Sequence, residues 1–198
     1  MTVFHLLRHG DRDLLKVLIG RMPGVALTER GRAEIAAVAE RLASETVAAI
    51  YASPLQRTRE SAEILAERLG LPVEFRDDLT ELDYGEWTGA TFDAIRADPR
   101  WKWWSTARSL AAIPGGETMR EVQRRVVEAL MHLHARHPDD TVAVVSHGDV
   151  IRAALVFALG MPLDFYNRIE VAQGSISTIR IEPHAIRVLS LNERPRLV

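Results

Sequence analysis

The chain has 198 residues, 47% of them hydrophobic, which is enough to bury one sizeable core and makes a single domain over residues 1–198 the expectation. Its 25 Lys and Arg against 27 Asp and Glu leave a formal charge of −2, which argues against nucleic acid or an anionic membrane as the main partner and makes any anion recognition local. Cysteine is absent, so disulfides, thiolate metal sites and cysteine nucleophiles are excluded.

The first eight residues form a short apolar stretch reaching Arg8, without a basic leader or a cleavage pattern, and a cytoplasmic location is the expectation. Residues 3–7 read as a buried strand. Residues 14–26 show no regular period. Thr28 then fits the cap of a helix whose apolar face is Ile35, Val38, Ala39 and Leu42. A second buried strand is expected at 48–52, followed by Ser53-Pro54-Leu55-Gln56, which reads as an N-cap serine, a proline in the first turn and a capping-box glutamine. That helix carries Ala62, Leu65 and Leu69 on one face and stops at Gly70, with Pro72 beyond. Residues 100–116 again resist a regular assignment and carry Trp101, Trp103 and Trp104 before Pro114-Gly115-Gly116; long irregular segments of this kind are often lids or binding loops. Thr118-Met119-Arg120-Glu121 is a capping box, and Val122, Val126, Ala129, Leu130 and Leu133 follow at helical spacing. A third strand at 142–145 leads into a helix over about 149–159, closed by Gly160 and Pro162, and residues 176–181 and 186–191 read as a final strand pair. The alternation of strand-length runs with helical stretches predicts an α/β fold, and the longest apolar stretch, 153–159, is far short of the roughly 20 residues that span a bilayer.

Two of these strands end in the same dipeptide, in Leu7-Arg8-His9-Gly10 and Val145-Ser146-His147-Gly148. Ligands of open α/β sheets bind beyond the carboxyl ends of the strands, so the two histidines meet if their strands are neighbours. The glycines suit a tight exit and let backbone amides approach an anion. Arg57 falls in the first turn of the helix after the second strand, where free N–H groups and the helix dipole already favour an anion and a guanidinium adds a bidentate clamp. Singly these signals are weak, since a strand-end histidine is more often structural and a first-turn arginine is usually solvated.

In combination they resemble the histidine phosphatase superfamily, the phosphoglycerate mutase-like proteins of branch 1. The resemblance is carried by Arg8-His9-Gly10, by Leu27-Thr28-Glu29-Arg30-Gly31, by Ser53-Pro54-Leu55-Gln56-Arg57, by Leu79, Glu81, Gly85, Trp87 and Gly89, by Pro114 to Thr118, and by Ser146-His147-Gly148. It implies a three-layer sandwich with a mostly parallel sheet and helices on both faces. It implies that His9 takes up the phosphoryl group, that Arg8, Arg57 and His147 surround its oxygens, and that Glu81 serves as general acid and then as base, without a metal or other cofactor. Arg12, Gly148 and Glu117 join the expected phosphate or substrate contacts. One departure concerns the positions where many members carry a Thr or Ser and then a phosphate-contacting Asn, which here are Arg12 and Leu15. Either Arg12 or a backbone amide replaces that Asn, or the pocket holds phosphate less tightly.

Several residues have competing readings. His132, His134 and His137 lack the spacing that puts two imidazoles on one helical face and are read as helix-end histidines rather than a metal site. His5, between Phe4 and Leu6, is read as a hydrogen-bonded core histidine. Asp83 and Glu86 compete with Glu81 for the acid role, and Glu117 either meets substrate or simply sits near a helix start. Trp87 is expected to pack, whereas Trp101, Trp103 and Trp104 form a lid, a partner surface or core. The expected activity is hydrolysis of a small phosphomonoester. Its rivals are a phosphomutase using the same phosphohistidine and an inactive phosphoprotein-binding module, which the presence of His9, Glu81 and His147 disfavours. Mutases of this group are typically longer, and the end of the chain at Val198 favours the phosphatase. The expected partner is a small phosphomonoester, not nucleic acid or membrane, with a homodimer left open.

Overall fold

The computed structural model describes residues 1–14 and 16–196. Its six-stranded sheet has the order β3-β2-β4-β1-β5-β6, formed by β1 (Thr2–Arg8), β2 (Val47–Ala52), β3 (Val73–Phe75), β4 (Thr141–Ser146), β5 (Ile176–Glu182) and β6 (Ala185–Glu193). The four strands from β3 to β1 are parallel, whereas β5 and β6 complete the sheet antiparallel. β4 is buried nearly throughout because both of its faces are covered, which explains its unbroken apolar sequence. Its Val142 and Val144 pack with α5 (Met119–Arg136) and α6 (Gly148–Ala158), whereas Ala143 and Val145 pack with α1 (Glu29–Leu42) and α2 (Gln56–Leu69). The result is the expected sheet with helices on both faces. Truncating a fully buried knob such as Leu133 to Ala costs about 2–5 kcal/mol, the usual range for a core leucine.

Most helix boundaries follow their local chemistry. Thr28 accepts a hydrogen bond from Gly31 N, and Thr118 with Glu121 forms the expected reciprocal capping box. Gly70 ends α2 in the left-handed conformation at φ 68°. The start of α2 differs from the expectation, because the helix begins at Gln56 after an extended Leu55 and has no side-chain cap. The Ser53 hydroxyl instead lies 2.7 Å from His147 Nε2, so this serine serves the neighbouring strand end.

The 100–116 stretch is also more regular than expected. Asp98 caps a helix α4 (Pro99–Thr106), accepting from Arg100 N, with proline in its first turn, and a shorter α3 (Phe92–Arg96) precedes it. The three tryptophans separate accordingly: Trp104 is fully buried, Trp101 packs edge-on against Trp87, and Trp103 is exposed. Trp87 packs in the core as expected. β3, missed in the sequence, is only three residues long and pairs through Ile50 with Val73. His5 is buried, with Nδ1 3.0 Å from Thr178 Oγ1 and Nε2 2.8 Å from Glu45 Oε2, the hydrogen-bonded core histidine anticipated. His134 bonds to Thr2, and His137 to Tyr51 and Asp140. No described helix is long and apolar enough to cross a membrane.

Candidate active site

The parallel pairing of β1 with β4 sets Arg8 opposite Ser146, so His9 and His147 leave the sheet side by side. Their rings lie 5.4 Å apart at 61°. Backbone bonds fix the exit of β1, with His9 N donating to Ser146 O at 3.1 Å and Gly174 N donating to His9 O at 3.1 Å. His9 Nδ1 lies 2.8 Å from Gly10 O. A carbonyl can only accept, so Nδ1 carries the proton and Nε2 keeps its lone pair. The next residues pass unusually close to α1: a Cβ on Gly10 would come 2.2 Å from Gly31 O, and one on Gly31 would come 2.0 Å from Asp11 O. Two glycines from separate motifs therefore permit the backbone crossing behind His9. Leu15, where the expected phosphate-contacting Asn is missing, lies outside the described residues.

Cationic donors gather around the histidines. Arg57, in the first turn of α2, is 1% exposed and gives Nη2 to Gly20 O at 2.7 Å, while its Nε and Nη1 have no partner among the described residues. Arg8 gives Nη1 to Val171 O at 2.7 Å and leaves Nε without a partner among the described residues. Gly148 makes room for it, because an added Cβ would stand 3.2 Å from the Arg8 guanidinium carbon. Arg12 bonds to the carbonyls of Asp13 and Leu14 through Nη1, leaving a buried Nε. His147 is held through Nε2 by Ser53, and its buried Nδ1 also has no partner among the described residues. Buried N–H groups are rarely left unpaired, and this concentration suits an anion rich in acceptor oxygens. Burial, reinforced by Arg57 and Arg8, holds the pKa of His9 well below its ordinary value. His147 is lowered in the same direction by burial, Arg57 and His9. Both imidazoles are neutral near pH 7.

Arg8, Arg12, Glu81 and Gly148 line a cavity of about 230 Å³, together with Tyr84, Trp101, Trp104, Arg108, Asp149, Arg152 and Tyr166 among others. Glu81 Oε1 accepts from Leu82 N at 2.9 Å. Its pKa is pushed up to about 7, by burial first and by the Asp149 carboxylate second, against the lowering influence of Arg57 and Arg8. The competing acids are placed elsewhere. Asp83 accepts from Gly85 N at 2.9 Å, and Glu86 is an exposed partner of Arg100 at 3.4 Å.

Glu117, read either as a substrate contact or as a residue near a helix start, is engaged by protein donors. Its carboxylate accepts from Arg21 at 2.7 Å, from Arg125 at 3.0 and 3.1 Å, and from Asp83 N at 3.1 Å. Arg21 Nε in turn donates to Glu81 O at 2.8 Å, so Glu117 braces the Glu81 loop. Sequence reasoning also missed Ser53, Tyr84, Asp149 and Arg108. Asp149 directly follows His147-Gly148, and Ser53 opens the Arg57 motif, so both had a visible signal; Tyr84 and Arg108 had none. Tyr84 OH donates to Asp149 Oδ2, and burial with the adjoining carboxylates raises the tyrosine pKa well above its ordinary value, so it remains a donor.

Comparison with known proteins gives one consistent grouping. Residues 4–194 match the histidine phosphatase superfamily (branch 1). The chain is 31% identical over 197 residues to phosphoserine phosphatase 1 of Hydrogenobacter thermophilus, covering 97% of this chain and 92% of that protein. It is 29% identical to a probable phosphoglycerate mutase of Erwinia tasmaniensis, over 90% of this chain and 85% of that one. Among solved structures, the native mycobacterial glucosyl-3-phosphoglycerate phosphatase superposes with a TM-score of 0.86 at 27% identity, covering 96% of this chain and 98% of the other.

Proposed function

Because the chain belongs to branch 1 of the histidine phosphatase superfamily, we propose that it is a metal-independent phosphatase that hydrolyses a small phosphomonoester through a phosphohistidine on His9. The observation that carries this reading is the bond from His9 Nδ1 to Gly10 O, which leaves the Nε2 lone pair as the nucleophile of a neutral imidazole. In the first step Nε2 forms a bond to phosphorus as the bond to the leaving oxygen breaks. Arg8 and Arg57 then offer the unpartnered N–H groups described above to the transferring oxygens, where the charge resides, and His147 offers Nδ1–H when the Ser53 hydroxyl donates to its Nε2. Glu81 gives its proton to the leaving oxygen. In the second step the Glu81 carboxylate takes a proton from water, the water oxygen attacks phosphorus, the P–N bond breaks and inorganic phosphate leaves. Dividing the displacement in two lets one carboxyl serve as acid and then as base, which suits a pKa of about 7.

The cavity volume of about 230 Å³ suits a metabolite rather than a folded phosphoprotein. We place the enzyme in the cytoplasm as one domain acting on a soluble metabolite, in keeping with a net charge of −2 and no basic surplus. The similarity to a probable phosphoglycerate mutase supports a second reading, in which the phosphoryl group returns to substrate rather than passing to water. Both are tested by incubating the protein with p-nitrophenyl phosphate and a panel of amino-acid, sugar and glycolytic phosphates, while following inorganic phosphate and isomerised ester together. Stoichiometric phosphate release that disappears in His9→Ala is the expected result. Isomerised ester without phosphate release would establish the mutase instead.

A further inference from the structure

The cavity has a second cationic region that the phosphoryl chemistry leaves unused. Arg108 lies just beyond α4, its guanidinium carbon 3.6 Å from the Trp104 ring centre and 4.1 Å from that of Tyr166. It is 7% exposed and lines the cavity, yet its Nε and Nη1 have no hydrogen-bond partner among the described residues. Ring faces offset part of the cost of burying a cation, but they accept none of the N–H groups in the guanidinium plane. Neighbouring groups do not supply the missing acceptors. Asp149 accepts from Tyr84 and faces Arg152 at 3.8 Å. Arg152 in turn commits Nε to Ile169 O and Nη1 to Tyr166 OH, whereas the buried Nε and Nη1 of Arg108 both remain without a partner among the described residues. The indole Nε1 of Trp104 is likewise unpartnered.

The charge balance points the same way. Arg8, Arg12, Arg108 and Arg152 line the cavity with Glu81 and Asp149, and Arg57 adds a fifth guanidinium beside His9. Counting the Asp149 carboxylate and a Glu81 that holds the proton it is to donate, the five guanidinium groups leave a surplus of four positive charges, of which a phosphomonoester dianion takes two. Arg57, Arg8 and Arg12 are the cations that lower the His9 pKa, whereas Arg108 is held on the rings of Trp104 and Tyr166. We propose that Arg108, clasped between Trp104 and Tyr166, binds a carboxylate of the substrate, and that the substrate class is therefore a small phosphomonoester bearing a carboxylate. One guanidinium fork matches one planar carboxylate, whereas a second phosphoryl group calls for the several donors assembled around His9. This inference rests on the phosphatase reading and narrows its substrate.

The test compares kcat/KM for 3-phosphoglycerate and glycerol 3-phosphate, which differ only in carboxylate against hydroxymethyl, with glycerol 1,3-bisphosphate as a third ester. In the wild type the carboxylated ester is preferred by about tenfold or more, the scale of a hydrogen-bonded charge pair. Arg108→Gln brings the ratio close to one, chiefly through KM, and Arg108→Lys keeps part of it. The wild-type comparison stands even if a variant folds poorly. A wild-type ratio near one, an equal loss on both esters in Arg108→Gln, or a preference for the bisphosphate over 3-phosphoglycerate overturns the carboxylate assignment while leaving the phosphatase intact. Absence of phosphate release from every ester, p-nitrophenyl phosphate included, removes the phosphatase reading itself.

Discussion

Replacing Glu81 by Gln separates the proton it donates from the charge it carries. The carboxyl sits at about 7 rather than its ordinary 4.5, with burial the largest cause and Asp149 the second. At about 1.4 kcal/mol per pH unit, that displacement amounts to up to about 3 kcal/mol against the ionised form. Near pH 7 about half of the molecules therefore hold the proton, whereas an ordinary carboxyl would hold it in fewer than about one in a hundred. General acid catalysis is worth about 10²-fold or more when the leaving group needs the proton, as an alkyl alcohol does and an aryl phenol does not. Glu81→Gln is thus expected to slow the first phosphoryl transfer from an alkyl phosphate at least about 10²-fold more than from p-nitrophenyl phosphate. Rapid mixing isolates that step from water attack, in which the proposed mechanism gives Glu81 a second role as base. Since a raised pKa keeps the acid form at low pH, the wild-type alkyl rate falls as pH climbs through about 7, and the variant loses this limb. The same shift bears on stability: a carboxyl raised in the folded state loses its contribution as pH rises from 4.5 through about 7, so Glu81→Gln gains on the wild type at pH 8 relative to pH 4 by up to about 3 kcal/mol in urea unfolding. Equal rate losses on alkyl and aryl esters would refute the acid role.

Other outcomes follow from the same geometry. Gly31→Ala puts a methyl 2.0 Å from Asp11 O, backbone that cannot step aside without moving the segment after His9; turnover collapses and stability falls by at least about 1–3 kcal/mol in a urea melt, and wild-type behaviour in both would discount the backbone crossing. Thr118→Ala removes the exposed α5 cap, lowering stability by about 1 kcal/mol while kcat is unchanged; no shift in the unfolding midpoint contradicts the capping account. Chelator leaves activity unaltered and vanadate inhibits competitively, because arginine and imidazole donors stabilise the five-coordinate phosphoryl group; loss of turnover on chelation points to a metal-dependent enzyme instead.

Much of this was legible because the relevant signals are local. The strand runs, the Thr28 and Thr118 caps and the Gly70 stop each lie within a few residues, and the repeated His-Gly ends needed only the adjacency of β1 and β4 to become one site. Long-range competition defeated the rest. Ser53 had the chemistry of an N-cap, yet its hydroxyl is set against His147 from the adjacent strand, and Leu55 takes the cap position instead. Glu117 had the neighbourhood of a ligand contact, but Arg21, distant in sequence, and Arg125, two helical turns on, both engage it. α4 was hidden because its three tryptophans point to different destinations and leave no apolar stripe, although Asp98-Pro99 marked its start. Arg108 looks like any other arginine in the sequence; only the fold encloses it between two aromatic rings.

The central claim is that phosphorus is bonded to His9 during turnover. Glu81→Gln incubated with p-nitrophenyl phosphate should accumulate this species, because aryl transfer proceeds without the acid while water attack is slowed. Alkaline quenching followed by peptide mapping measures it directly. One phosphoryl group per active chain, on the peptide bearing His9, labile to acid, stable to base and absent from His9→Ala, is the predicted result. Phosphate recovered on another side chain, or rapid turnover by the wild type with no phosphoenzyme on any time scale sampled, would contradict it.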